Sequence, residues 1–167
     1  LPISDEFRGR LFSHNLHGHQ LNQQINLREG SAYNTIHAGQ DVLYSPDPRY
    51  VPVGLKYGPD GAVYMTDWYD TQHCHNPNTE QWDRSNGRIY RMRYVDSFRP
   101  AMVNLADLAD LDLVRLQSHK NSWQARTARR LLQERSESGR ISSVAVDELT
   151  HRLRESASPI ARLRSLW

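Results

Sequence analysis

Cysteine is nearly absent: Cys74 is the single thiol in 167 residues. One thiol cannot close an internal disulfide. With no CxxC or CxxCH spacing in the chain, it carries no covalent haem motif. Apolar residues are also scarce, at 38% with a mean hydropathy of -0.75. Soluble domains usually carry roughly 45–50% apolar residues, so the core is thin for the length. No run approaches the ~20 apolar residues of a membrane helix. No charged start followed by an apolar stretch marks a secretory signal. An excess of one charge is missing too: 21 basic residues face 19 acidic ones, net +2. A dedicated nucleic-acid binder concentrates basic residues on one face, and this balance argues against that class. The chain opens at Leu1-Pro2 rather than at a methionine and runs straight into strand-like sequence. The expectation is a piece of a longer protein.

Glycine and proline thin out along the chain. Residues 101–167 hold only Gly139 and Pro159 of these two types and are rich in Leu, Ala and Arg. The composition shift places a domain boundary near Ser97–Pro100, because proline disfavours helix at the residue before it. The expected fold is β followed by α, with a strand domain over 1–97 and a helical one over 101–167.

The first half reads as short strands between turns. "GRLFSHNL" (9–16) and "HQLNQQINL" (19–27) open it, the second with Leu21, Gln23 and Ile25 on one face. "REGSAY" (28–33) turns at Gly30. "VPVGLKYGPDGAVYMTDWYD" (51–70) reads as two strands around Gly58-Pro59-Asp60-Gly61, where proline presets φ and Asp-Gly tolerates φ > 0. "NGRIYRMRY" (86–94) enters a further strand from an Asn-Gly turn. Strands at this spacing predict a barrel, sandwich or propeller.

The second half reads as helices over 105–119, 122–135, 143–156 and 158–167. Leu105, Leu108, Leu111 and Leu116 share a stripe. So do Trp123, Thr127, Ala128, Leu131 and Leu132, and then Val146, Leu149 and Leu153. Asn121 or Ser122 can cap the second helix, and Pro159 suits the first turn of the fourth. Helix pairs joined by short loops are the pattern of an α-solenoid.

Three constellations carry possible chemistry. Asp67 and Asp70 flank Trp68-Tyr69 and offer oxygens for calcium, although calcium needs six to eight ligands and the simpler reading has Asp67 cap a turn and Asp70 stand in solvent. In "DTQHCHN" (70–76), His73 and His75 share one face of an extended strand with Cys74 opposite, yet zinc sites show separated ligand pairs, so an ordinary loop is the simpler reading. The arginines of "ARTARRLLQER" (Arg126, Arg129, Arg130 and Arg135) suit an anion or acidic partner, or form the solvated face of an amphipathic helix.

Five motifs in order make the chain similar to a known family. They are RGxLF (8–12), HGxxxN (17–22), GPDGxxYxxDWYD (58–70), GRIYR (87–91) and the helical "SHKNSWQARTARRLLQER" (118–135). Together they resemble the closing blades of a β-propeller of the glucose/sorbosone dehydrogenase type. More closely, they resemble the secreted bacterial proteins described as carrying a membrane-bound dehydrogenase domain or as PVC-type haem-binding proteins. The resemblance implies terminal propeller blades followed by HEAT-like repeats. It implies an oxidoreductase parent, periplasmic or extracellular, oxidising a sugar or alcohol with pyrroloquinoline quinone (PQQ) and Ca²⁺. Its electrons would pass to a cytochrome c domain or protein. The partners so implied are the rest of the propeller and that cytochrome, with no nucleic acid and no membrane span in this chain.

The resemblance also implies site residues. Asn15, His17 and Gly18 match an Asn-x-His-Gly run at a blade turn, where His17 serves as ligand, proton carrier or plain turn histidine. Arg49 matches the first arginine of an R-I-R-D-V run, while Val51 and Pro52 stand where the family has the second arginine and the aspartate. The expected cofactor-binding residues are Arg49, Asn15 and His17, with Asp67 and Asp70 as metal ligands. No catalytic base is assigned, since the family keeps it in earlier blades. The alternative is a non-catalytic propeller and HEAT interaction scaffold, which the loss at Val51 and the missing haem motif favour.

Overall fold

The computed structural model describes residues 5–7, 9–74, 76, 78–79, 81–96, 98 and 102–167. Among them are two small antiparallel sheets followed by four α-helices. The chain divides into two compact units. One holds Pro2–Lys56 and Ala62–Phe98; the other holds Tyr57–Gly61 and Arg99–Trp167. The boundary expected at Ser97–Pro100 falls on Ser97, Arg99 and Pro100, which lie outside the described residues.

The first unit begins with a meander. Strand β1 (Leu11–Asn15) pairs with β2 (Gln20–Glu29), and β2 with β3 (Ala32–His37). The Glu29↔Ala32 pair closes a two-residue turn in which Gly30 adopts φ +61. Leu21 and Gln23 point inward, 0% and 6% exposed, as the alternation in β2 predicts. A buried glutamine needs partners. Arg10 donates to Gln23 Oε1 at 2.8 Å, and Gln23 Nε2 donates to the carbonyl of Gln40. The short β4 (Leu43–Tyr44) pairs with the start of β2, beyond a 38–42 excursion held by an Asn22–Asp41 hydrogen bond of 2.8 Å.

The second sheet has the order β5-β6-β7, from Pro52–Tyr57, Val63–Asp67 and Arg88–Met92. The register of its last pair runs from Val63↔Met92 to Asp67↔Arg88. Gly54 lies tight against the neighbouring strand. Its N–H donates to Thr66 Oγ1 at 2.8 Å, and a Cβ there would stand 2.7 Å from that oxygen. Tyr50, Val51, Ala62, Met65 and Phe98 are buried in this unit.

The second unit holds the Gly58–Gly61 turn, closed by Gly61 N–H to the Gly58 carbonyl with Gly61 at φ +84. Its helices are α1 (Asp110–Arg115), α2 (Ser122–Glu137), α3 (Ser143–Glu155) and α4 (Pro159–Leu166). Leu105, Leu113, Val114, Ala128, Leu132 and Ala145 form the core, with Leu108, Leu116, Trp123, Leu131 and Leu149 packed on it. Side-chain oxygens of Asn121, Ser142 and Ser158 cap α2, α3 and α4. Asn121 also donates to the carbonyls of Gly58 and Pro59, at 3.1 and 3.3 Å.

One expected helix is shorter than its leucine spacing. Helix α1 starts at Asp110, not Leu105. Arg135 takes the carbonyls of Ala106 and Leu108 at 2.8 and 2.9 Å, while Asn104 accepts the Ala106 N–H. Those groups are thus lost to a helical ladder, although Leu105 still enters the core.

Candidate functional site

In the sheet unit, three chain stretches meet: 45–51, 67–73 and 83–90. The 45–51 stretch is held from several sides. His19 accepts the Ser45 N–H through its carbonyl at 2.9 Å, and its Nδ1 bonds the Tyr50 carbonyl. His73 Nε2 bonds the Pro48 carbonyl at 2.8 Å. The Asp70 N–H donates to the Arg49 carbonyl and the Trp68 N–H to that of Val51, at 3.0 and 2.9 Å. Asp47 folds the stretch on itself by accepting the Arg49 N–H at 2.9 Å.

The two carboxylates singled out by the sequence are buried, 3% exposed for Asp67 and 1% for Asp70, so Asp70 does not stand in solvent as the simpler reading expected. Asp67 Oδ1 accepts the N–H groups of Val51 and Tyr69, at 2.8 and 2.9 Å, and its Oδ2 accepts the Tyr90 hydroxyl at 3.3 Å. Asp70 Oδ1 accepts the Gln72 N–H at 3.0 Å and Oδ2 the Asp83 N–H at 2.8 Å. Each carboxylate therefore staples turn backbone. Beside Asp67, the Tyr50 hydroxyl is buried with no hydrogen-bond partner among the described residues. Burial first, and then the Asp67 carboxylate and Tyr90, push its pKa up.

Cationic groups surround Tyr69. The Arg88 guanidinium lies 3.3 Å from its ring centroid and that of Arg49 5.8 Å away. Tyr69 itself is left-handed at φ +58, a conformation that non-glycine residues seldom hold. Arg88 also reaches the Tyr90 hydroxyl at 3.4 Å and Asp47 at 3.9 Å. The Trp68 and Trp82 rings meet edge to face at 4.6 Å.

Of the expected cofactor-binding residues, Arg49 stands in this cluster. Asn15 closes the β1–β2 turn, its Oδ1 accepting the Gly18 N–H at 2.8 Å. A Cβ on Gly18 would stand 2.4 Å from Gln20 Oε1 and crowd the Asn15 amide, so a larger residue there would displace both side chains. His17 is exposed, its ring 6.3 Å from that of His73. The His73 ring meets His19 edge to face at 4.8 Å. His75 of the His-Cys-His run lies outside the described residues, and Cys74 is exposed. Among the described residues, no group of three or more His, Cys, Asp or Glu is arranged to hold a metal ion.

Sequence reasoning did not single out Arg88, Tyr69, Tyr90 or Tyr50. The only available signal was position. Tyr69 stands between the two aspartates, and Arg88 opens the strand after an Asn-Gly turn.

Residues 3–96, more than half of the chain, match the model of a family described as Domain of unknown function (DUF7133), and the chain belongs to that family. No curated protein and no solved structure matches the chain.

Proposed function

We propose that this chain is the closing part of a sugar- or alcohol-dehydrogenase-like β-propeller protein, with the loop cluster forming one wall of its ligand face. The observation that carries this reading is the pair Arg49 and Arg88 around Tyr69. Two guanidinium groups beside an aromatic ring suit a flat, anionic quinone. Guanidinium binds carboxylate in a forked, charge-assisted geometry. Arg88 supplies a second cation where the departure at Val51 had removed one. When bound, PQQ would supply the two-electron acceptor for oxidation of the substrate. The role of this chain is to grip carboxylates through Arg49 and Arg88 and to hold their loop rigid through Asp67 and Asp70.

The donor set does not fit calcium. Both oxygens of each aspartate are taken by donors of the fold itself, where a calcium ion requires six to eight free oxygen ligands. No step is assigned to that ion. The small antiparallel sheets suit propeller blades, and the capped, one-sided helices suit HEAT-like repeats. In this reading the protein is periplasmic or extracellular and passes electrons to a cytochrome c domain or protein.

A second reading is a non-catalytic interaction scaffold. It is favoured by the structural use of both aspartates, which leaves no free acid or base among them. Calorimetric titration of the intact protein with PQQ separates the two. Saturable binding, weakened about tenfold or more in Arg49→Ala and Arg88→Ala, is the expected result, as loss of a charge-assisted pair implies. No binding by the folded protein overturns the quinone reading and leaves the scaffold.

A further inference from the structure

The arginines of helix α2 divide into two sets. Arg130 pairs with Glu134 one turn along, and Arg135 bonds Asp110 at 2.6 Å. Arg126 and Arg129 have no carboxylate partner among the described residues, and neither has Arg164 of helix α4.

Arg129 and Arg164 both stand near Trp167, and Arg126 lies one turn before Arg129 on α2. Arg126 and Arg129 are three apart and share a face of α2. The Arg129 guanidinium lies 4.9 Å from the centroid of the Trp167 ring, and Gln133 Nε2 donates to the Trp167 carbonyl at 2.8 Å. Arg164 is three residues before Trp167. It is fixed by donating to the carbonyls of Gln117 and His119, at 2.9 and 3.5 Å. Arg126 is exposed; Arg129 and Arg164 are half-buried. Burial, and then the like charges of Arg164 and Arg126, lower the pKa of Arg129. Three neighbouring cations with no carboxylate side chain paired to them among the described residues form a repulsive arrangement that an anion would relieve.

We propose that Arg126, Arg129 and Arg164, backed by the Trp167 ring, form a binding site for a tetrahedral oxyanion, phosphate or sulfate. Guanidinium groups offer forked donors that match such oxygens, and half-burial limits screening by salt. The site belongs to the helical unit and is independent of the quinone reading.

The test follows thermal unfolding of the full chain in inorganic phosphate and, separately, in sulfate, with sodium chloride at matched ionic strength as control. A ligand that binds only the folded state raises Tm with a saturable concentration dependence. The expected result is a saturable rise beyond that in chloride, with about tenfold or greater loss of affinity in Arg129→Gln and in the exposed Arg126→Gln. Arg130→Gln, which removes a paired arginine, keeps the response. Arg129→Gln also raises the ion-free Tm, because it removes repulsion. A stronger response to phosphate points to phosphoryl ligands and a stronger response to sulfate to sulfate esters. A rise that chloride reproduces overturns the proposal, as does one that persists in Arg126→Gln.

Discussion

Asp67 joins three stretches of backbone and side chain through one buried carboxylate. Its Oδ1 takes the N–H groups of Val51 and Tyr69. Asp67→Ala therefore leaves both donors unpaired and costs about 2–6 kcal/mol, by the penalty of about 1–3 kcal/mol for each such group. Asp67→Asn keeps one acceptor oxygen and costs less. Urea unfolding of both variants checks the order. His14 is a different case. Both its ring nitrogens are buried without partners among the described residues, and burial lowers its pKa from 6.5. The unfolded chain takes up that proton first as pH falls. The stability that goes with a neutral His14 is thus complete above pH 6.5 and lost as pH drops toward the lower folded value. His14→Leu is expected to flatten this part of a Tm-against-pH curve.

At the scale of elements, the close approach of β5 to β6 makes a sharp prediction. Gly54→Ala drives a methyl against Thr66 Oγ1 and costs about 1–3 kcal/mol, the usual range for overpacking. Thr66→Ala removes the obstacle, so the double variant recovers part of that loss. A double-mutant cycle by chemical denaturation measures the coupling. In α2, Asn121→Ala loses the helix cap and two bonds to turn carbonyls, and costs about 1–2 kcal/mol. The elements themselves were readable where chemistry is local. The Gly58–Gly61 turn, the Asn121 cap of α2 and Pro159 in the first turn of α4 were read from the residues in place, whereas the Ser142 and Ser158 caps were not. Strand β3 was read only at its first residues because every residue in it is exposed, so no alternation marks it. The start of α1 was missed because Arg135, 25 residues away from Asp110, claims the carbonyls before it. The site was half legible for the same reason. Arg49, Asp67 and Asp70 stand out in sequence, whereas Arg88 reaches Tyr69 only through the pairing of β6 with β7.

Across the whole molecule, acid weakens the fold through several carboxyls at once. The Asp110 pKa is lowered by its hydrogen bond to Arg135 first and then by the Ser142 N–H. Asp83 is lowered by Ser85 and Asn86, and Glu148 by Arg152. Each contributes stability that is complete above its unfolded value, about 4 for a carboxyl, and is lost as pH falls through the lower folded value. Asp110→Asn is expected to reduce the slope of Tm between pH 5 and 3, read by circular dichroism. One further feature serves experiment directly. Cys74 is the sole thiol of the chain and is exposed, next to the histidine that clasps the Pro48 carbonyl. A nitroxide or fluorescent maleimide attached there labels a single position with no engineered background. Such a reporter registers, in real time, whether the arginine-bearing loop tightens when a ligand arrives.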